Sequence, residues 1–175
     1  MPEPRFQTAR LTLRPVEPRD EAAVVAALND LAVAGWLAVV PFPYRAADFR
    51  EFVDTLARPG ETFAVEDAEG LAGIVAVSPH LGYWFAPRAQ GRGYATEAAR
   101  GVLAARLAED PSPVRSGYFE GNHRSAHVLR KLGFVETGRD LKYCRPLAQD
   151  RPHVDMQLTY ENFRISSIPG AAPAP

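Results

Sequence analysis

Residues 85–99 read Phe85-Ala86-Pro87-Arg88-Ala89-Gln90-Gly91-Arg92-Gly93-Tyr94-Ala95-Thr96-Glu97-Ala98-Ala99, and the fold turns on this stretch. An apolar strand end runs into a turn with two glycines, and small apolar residues at helical spacing follow at once. Glycine permits positive φ and lets backbone approach a ligand closely. The first N–H groups of a helix have no partner in their own helix, and the helix dipole favours an anion beside them. A pyrophosphate is the expected guest. The nucleotide P-loop would need Gly-Lys-Ser/Thr, but Tyr94-Ala95 follows Gly93. The dinucleotide fingerprint would need Gly or Ala where Thr96 stands. The bland alternative is a tight strand-to-helix turn with no ligand.

Working outward, Leu81-Gly82-Tyr83-Trp84-Phe85 is a strand stopped by Pro87, and Tyr94 to Ala108 is a helix. Ala95, Ala98, Ala99, Val102 and Leu103 form its apolar face, small enough to lie close on a sheet. Upstream, Leu11 to Arg14 alternates as a strand, and Asp20 is placed to cap a helix from Glu21 to Leu28. A Pro-punctuated aromatic turn, Pro41-Phe42-Pro43-Tyr44, precedes a helix from Ala46 to Leu56. Thr62–Val65 and Leu71–Val77 read as strands joined by a turn at Gly70. Downstream come a strand at Val114–Phe119 and a helix capped by Asn122, ended at Leu132 by Gly133 and Phe134 as in a Schellman motif. His153 to Tyr160 alternates as a last strand. Such an order gives a mixed α/β (α+β) class, with a single domain over residues 1–165.

Composition narrows the function. The 175 residues, 46% hydrophobic and 23% charged, suit one soluble globular core. No apolar run is long enough to span a bilayer, and Met1-Pro2-Glu3-Pro4-Arg5 lacks the apolar segment of a signal peptide, so cytoplasm is the expected compartment and no membrane partner is expected. A net charge of −1 offers no basic field for nucleic acid. The lone Cys144 makes neither an internal disulfide nor a zinc cluster. Ser166 to Pro175, rich in Pro, Ala, Gly and Ser, reads as a disordered tail.

The chain resembles the GNAT N-acetyltransferases, and most closely their RimJ/RimL-like branch. The acetyl-CoA motif Gln/Arg-x-x-Gly-x-Gly/Ala is matched by Gln90-Gly91-Arg92-Gly93-Tyr94-Ala95. Around it, in order, stand Thr8-Ala9-Arg10-Leu11-Thr12-Leu13-Arg14, Gly82-Tyr83-Trp84-Phe85, the extension Thr96-Glu97-Ala98, Asn122-x-x-Ser125 and Lys131-Leu132-Gly133-Phe134. The resemblance covers residues 6 to 163. It implies a mostly antiparallel mixed sheet, flanked by helices and splayed between the Tyr83-Trp84-Phe85 and Val114–Phe119 strands, with pantetheine in the V. Backbone groups near Trp84, Phe85 and Ala86 would pair with pantetheine, N–H groups from Arg92 to Thr96 would hold the pyrophosphate, and Asn122 would bond pantetheine or orient the acetyl group. Acetyl-CoA is then the cosubstrate and no metal is implied. The acceptor is a primary amine, a protein N-terminus or a small molecule, attacking directly in a ternary complex. A homodimer is left open.

The tyrosine that many members use to protonate the thiolate falls here at Leu129. Ser125, on the inward face with Val128, Leu129 and Leu132, is its expected substitute, against the alternative of a serine that only bonds backbone. Glu120, His123 and His80 are candidate bases, each also readable as a solvated surface group. His123 and His127 stand four apart, a metal-like spacing with no third ligand near in sequence. Cys144 has nothing adjacent to activate it and reads as structural. Tyr83 and Trp84 read as core or cleft wall, and Glu97 as a charge suited to the helix's first turn. Phe42 and Tyr44 could wall an acceptor pocket or pack under the second helix. With its usual acid missing, a non-catalytic acyl-CoA-binding regulatory module is the alternative function.

Overall fold

The structure, a computed structural model, describes residues 5–169. Five strands, β1 (Phe6–Gln7), β2 (Thr12–Arg14), β3 (Thr62–Asp67), β4 (Gly70–Ala76) and β5 (Gly82–Phe85), form an antiparallel sheet in sequence order. Three more, β6 (Val114–Phe119), β7 (Val135–Cys144) and β8 (Gln149–Leu158), form a second sheet with β8 in the middle. Among the described residues one bridge joins the sheets. His80 bridges Arg115 in parallel, the Leu81 N–H donates to the Arg115 carbonyl at 2.9 Å, and Ser116 Oγ donates to the Leu81 carbonyl at 2.8 Å. Beyond that junction β5 and β6 belong to separate sheets, which is the expected splay.

Helices cover both faces. On one side α4 (Tyr94–Glu109) and α5 (His123–Leu132) join the larger core. Ala98, Ala99 and Leu103 are fully buried, because small side chains let α4 settle onto the sheet. On the other side α1 (Glu21–Leu28), the short α2 (Leu31–Ala34) and α3 (Ala46–Glu51), which runs on into a π-helical turn at Phe52–Leu56, enclose a second cluster around Val24, Tyr44, Phe49 and Ile74. Strand alternation divides β5 between them. Tyr83 and Phe85 face the larger core, and Trp84 packs with the second cluster.

Several sequence expectations are corrected. Asp20 stands just before α1 but makes no side-chain cap; its carboxylate is bound to the buried Arg14 guanidinium instead. β7 has no counterpart in the sequence reading, because it is an edge strand mostly exposed on both faces and broken in register near Gly138. β8 begins at Gln149 rather than His153. Proline normally ends a central strand, but the β6 pairing stops at Phe119 opposite His153, so at Pro152 β8 is paired as a strand only with β7 and its carbonyl accepts from the Glu120 N–H at 2.9 Å. Tyr160 opens a sixth helix, α6 (Tyr160–Ser166), capped by Thr159, instead of closing a strand. Ser166 therefore belongs to ordered structure, its hydroxyl donating to the Leu132 carbonyl at 2.9 Å; residues 170–175 of the expected tail lie outside the described residues.

Candidate active site

Gly91 and Gly93 have φ of 74° and 78°. A Cβ on Gly91 would meet nothing within 4 Å, so the backbone conformation, not crowding, demands glycine there. The first intrahelical bond of α4 runs from Glu97 N–H to the Gly93 carbonyl. The N–H groups of Tyr94, Ala95 and Thr96 therefore have no helical acceptor, a donor set that fits a pyrophosphate.

Two side-chain systems hold the turn. Gln90 donates through Nε2 to the Phe85 carbonyl at 2.9 Å and accepts from Arg124 Nη1 through Oε1, tying strand, turn and α5 together. Glu97 accepts from Thr8 Oγ1 at 2.5 Å and from Arg10 N–H and Nε, each at 2.8 Å. Arg10 Nη1 reaches the Arg92 carbonyl at 2.8 Å, and its guanidinium lies over the Tyr94 ring. Burial alone would raise the Glu97 carboxyl, but the bonds from Thr8 and Arg10 outweigh it and hold it below its ordinary value. The Thr8–Arg14 segment and the glycine turn, far apart in sequence, are thus one physical unit.

A cleft of about 560 Å³ follows the gap between β5 and β6. Of the expected residues, Trp84, Phe85, Gln90, Gly91, Gly93, Tyr94, Ala95, Thr96, Asn122 and Ser125 line it. Ala86, Arg92 and Glu120 do not. The Ala86 N–H is taken by the Ala72 carbonyl, and alternation turns Trp84 toward β4 as well. The β5 backbone that faces the gap is therefore that of Tyr83 and Phe85. Arg92 is exposed and paired with Glu69 at 3.2 Å, and Glu120 is exposed and held by Arg139 at 2.6 Å. His80 and His123 are exposed and off the lining, while His127 borders the cleft.

Asn122 caps α5 by accepting from the Ser125 N–H at 3.2 Å, and Gly133 at φ 98° ends the helix as expected. Ser125 Oγ and the Tyr83 hydroxyl share a hydrogen bond of 2.9 Å across the gap. Burial pushes the Tyr83 phenol up to about 12, partly offset by the serine. Tyr83, read as a wall residue, is thus a protonated hydroxyl joined to the candidate acid; only the tertiary fold reveals that pairing. Leu129, where a tyrosine is usual, is fully buried in the core.

On the far face of the gap stand Trp36, Gly117, Phe119 and His153. A second cavity of about 460 Å³ opens beside them, sharing Leu37, Ala38, Gly82, Tyr83 and Trp84. Its walls are mainly apolar, among them Val24, Leu28, Tyr44, Phe52 and Ile74, with Asp48, Glu51 and Arg145 also bordering it. Tyr44 borders this space; Phe42 does not. Cys144 is fully buried with its sulfur against the Gly35 and Leu37 carbonyls. Among the described residues, one group of three potential metal ligands converges, Asp140, His153 and Asp155. The Lys142 ammonium already lies 2.8 Å from Asp155 Oδ1 there.

The acetyltransferase (GNAT) domain family matches residues 10–135, well over half of the chain. The protein belongs to the GNAT acetyltransferase family. It is thereby an acyltransferase, of a family that uses acetyl-CoA. No curated protein matches its sequence. Among solved structures it is similar to a GNAT-family acetyltransferase from Bacillus anthracis (23% identity over 90% of this chain and 99% of that one, TM-score 0.76). It is similar as well to the spermidine N-acetyltransferase of Vibrio cholerae in complex with CoA and spermine (20%, 89% and 99%, TM-score 0.75). RimJ of Mycobacterium smegmatis, in complex with CoA-disulfide, matches at 22% identity over 91% of this chain and 87% of that one, TM-score 0.74. Identities this low carry the fold alone. Among the described residues of this GNAT protein no helix is long and apolar enough to cross a membrane.

Proposed function

We propose that this GNAT protein is a RimJ/RimL-like N-acetyltransferase of the cytoplasm that moves the acetyl group of acetyl-CoA onto a primary amine by direct attack in a ternary complex. The observation that carries this is the Ser125–Tyr83 hydroxyl pair, joined across the gap between β5 and β6 beside a turn whose free N–H groups suit a pyrophosphate. Bound there, acetyl-CoA supplies an activated thioester. Tyr83 and Phe85 offer backbone groups along the gap, the α4 N-terminus holds phosphate oxygens, and the Asn122 amide is free to donate beyond its cap. Ser125, backed by the Tyr83 phenol, gives a proton to the departing sulfur, the task for which Leu129 has no group.

The neighbouring cavity is mainly apolar, which favours an amine carrying an apolar or aromatic group, such as a peptide N-terminus, over a polyamine. A thermal-shift titration with acetyl-CoA, against ATP and NAD, tests cosubstrate binding, and release of CoA thiol with a panel of amines tests turnover. Acetyl-CoA at a hundred times its dissociation constant adds about 2.7 kcal/mol. No shift at millimolar acetyl-CoA overturns the proposal; a shift without turnover on any amine leaves the non-catalytic binding module in its place.

A further inference from the structure

An amine arrives at neutral pH as an ammonium, since its ordinary pKa lies above 7, and nothing in the Ser125–Tyr83 pair accepts that proton. His153 is the group built to take it. It sits on the central strand of the second sheet, opposite Phe119 on one neighbour and Asp140 on the other. Its ring is nearly buried and borders the cleft on the face shared with Trp36 and Phe119. This is the face opposite α5, hence the side from which an acceptor meets a thioester held against Ser125.

The ring has two distinct edges. Nδ1 is fully buried and makes no hydrogen bond, although Asp155 Oδ1 stands 3.2 Å and Asp140 Oδ1 3.7 Å away. The opposite edge lies over β6 at the gap, so close to Gly117 that a Cβ there would stand 2.3 Å from Cε1 and 2.9 Å from Nε2. With acids beside Nδ1 and the ring bordering the cleft, the tautomer protonated on Nδ1 leaves Nε2 as the basic atom. The charged groups around the ring are Asp140 and Lys142 on β7 and Arg151 and Asp155 on β8; β6 contributes none, offering Gly117 and Phe119. Burial and the Lys142 ammonium lower the imidazole pKa below 6.5 despite the two carboxylates.

We propose that His153 is the base that deprotonates the acceptor ammonium, with the nearby Asp155 carboxylate as the positioning residue that favours the proton on Nδ1. This rests on the transferase reading above. The ammonium gives one proton to Nε2, and the freed nitrogen bonds to the thioester carbonyl carbon. As the C–S bond breaks, Ser125 protonates the sulfur and recovers a proton from the new C–N nitrogen. The imidazolium returns its proton to water.

The test uses the full chain and two amines, benzylamine, protonated at pH 7, and 2,2,2-trifluoroethylamine, largely neutral there. His153→Gln is expected to lower kcat/KM for benzylamine about 100-fold or more, with a much smaller loss for trifluoroethylamine and unchanged acetyl-CoA affinity. Asp155→Asn, removing a carboxylate that raises the imidazole pKa, is expected to slow benzylamine transfer and move the acidic limb of the pH profile lower. Equal losses on both amines, or an acidic limb that persists unchanged in His153→Gln, overturn the proposal. Wild-type protein that binds acetyl-CoA but acetylates no amine overturns the transferase reading itself and removes the role of His153 with it. Independently of any acceptor, nitrogen-15 NMR should show the neutral His153 ring as the Nδ1–H tautomer; the Nε2–H tautomer also overturns it.

Discussion

Arg14 offers a perturbation whose size follows from its surroundings. Its side chain is 1% exposed and donates to both carboxylate oxygens of Asp20 at 2.7 and 2.8 Å, to Glu66 at 2.6 Å and to the Pro15 carbonyl at 2.9 Å. Arg14→Met keeps the apolar volume and strands Asp20, itself almost fully buried, without its cation. Breaking one side of a buried pair costs about 3–5 kcal/mol, or roughly 6 to 20 °C in melting temperature for a domain of this size. The pH dependence gives a second, sharper reading. Burial opposes ionisation of Asp20, but the Arg14 guanidinium and the Glu17 N–H hold its carboxyl below 3.8. Bonding to Arg14 lowers Glu66 in the same way. Depressed carboxyls stabilise the fold above their unfolded pKa, and that stability is lost as pH falls through the folded value. In Arg14→Met the burial remains and the cation is gone, so the Asp20 carboxyl rises and is relieved by acid. Melting followed by circular dichroism from pH 7 downward should therefore show the gap between wild type and variant narrowing. A gap that is small at pH 7, or constant with pH, would refute this account of the pair.

Other consequences are as direct. Ser125→Ala should leave acetyl-CoA affinity intact and lower kcat by about 100-fold or more; Tyr83→Phe should cost less, and the double variant no more than Ser125→Ala, as measured by CoA release. Gly93→Ala forces an L side chain to φ 78°, costing about 1–2 kcal/mol, and should weaken acetyl-CoA binding by calorimetry. Arg10→Ala should weaken it too, although Arg10 lies outside the cleft lining, because the Arg92 carbonyl and Glu97 lose their tether.

Periodicity made most of the strands and helices legible. Ala98, Ala99, Val102 and Leu103 marked the packed face of α4, and Gly133 marked the end of α5. The elements missed or cut short each have their own physical cause. β7 is mostly exposed on both faces and so carries no clear alternation, the start of β8 is masked by a proline, and α2 is too short to show a period. At the site, local sequence revealed what one element does alone, such as the glycine turn and the Asn122 cap. It was silent on what two elements do together. Tyr83 meets Ser125 across 42 positions, and His153, already on one strand with Asp155, gains Asp140 only through the pairing of β7 with β8. Arg14 binding Asp20 was hidden because an acid before a helix has two uses, and the nearby guanidinium decided between them.

The single junction between the two sheets divides the chain as well as the site. Every strand of the first sheet lies before residue 86, and every strand of the second lies after residue 113. The exposed connection at residues 110–113 separates the second sheet from everything before it. A break in the backbone there would leave each sheet whole within its own fragment, with the Tyr83 hydroxyl on one and Ser125 on the other. The protein is in this sense a natural two-piece lock, whose Tyr83–Ser125 hydrogen bond exists only while both pieces are assembled.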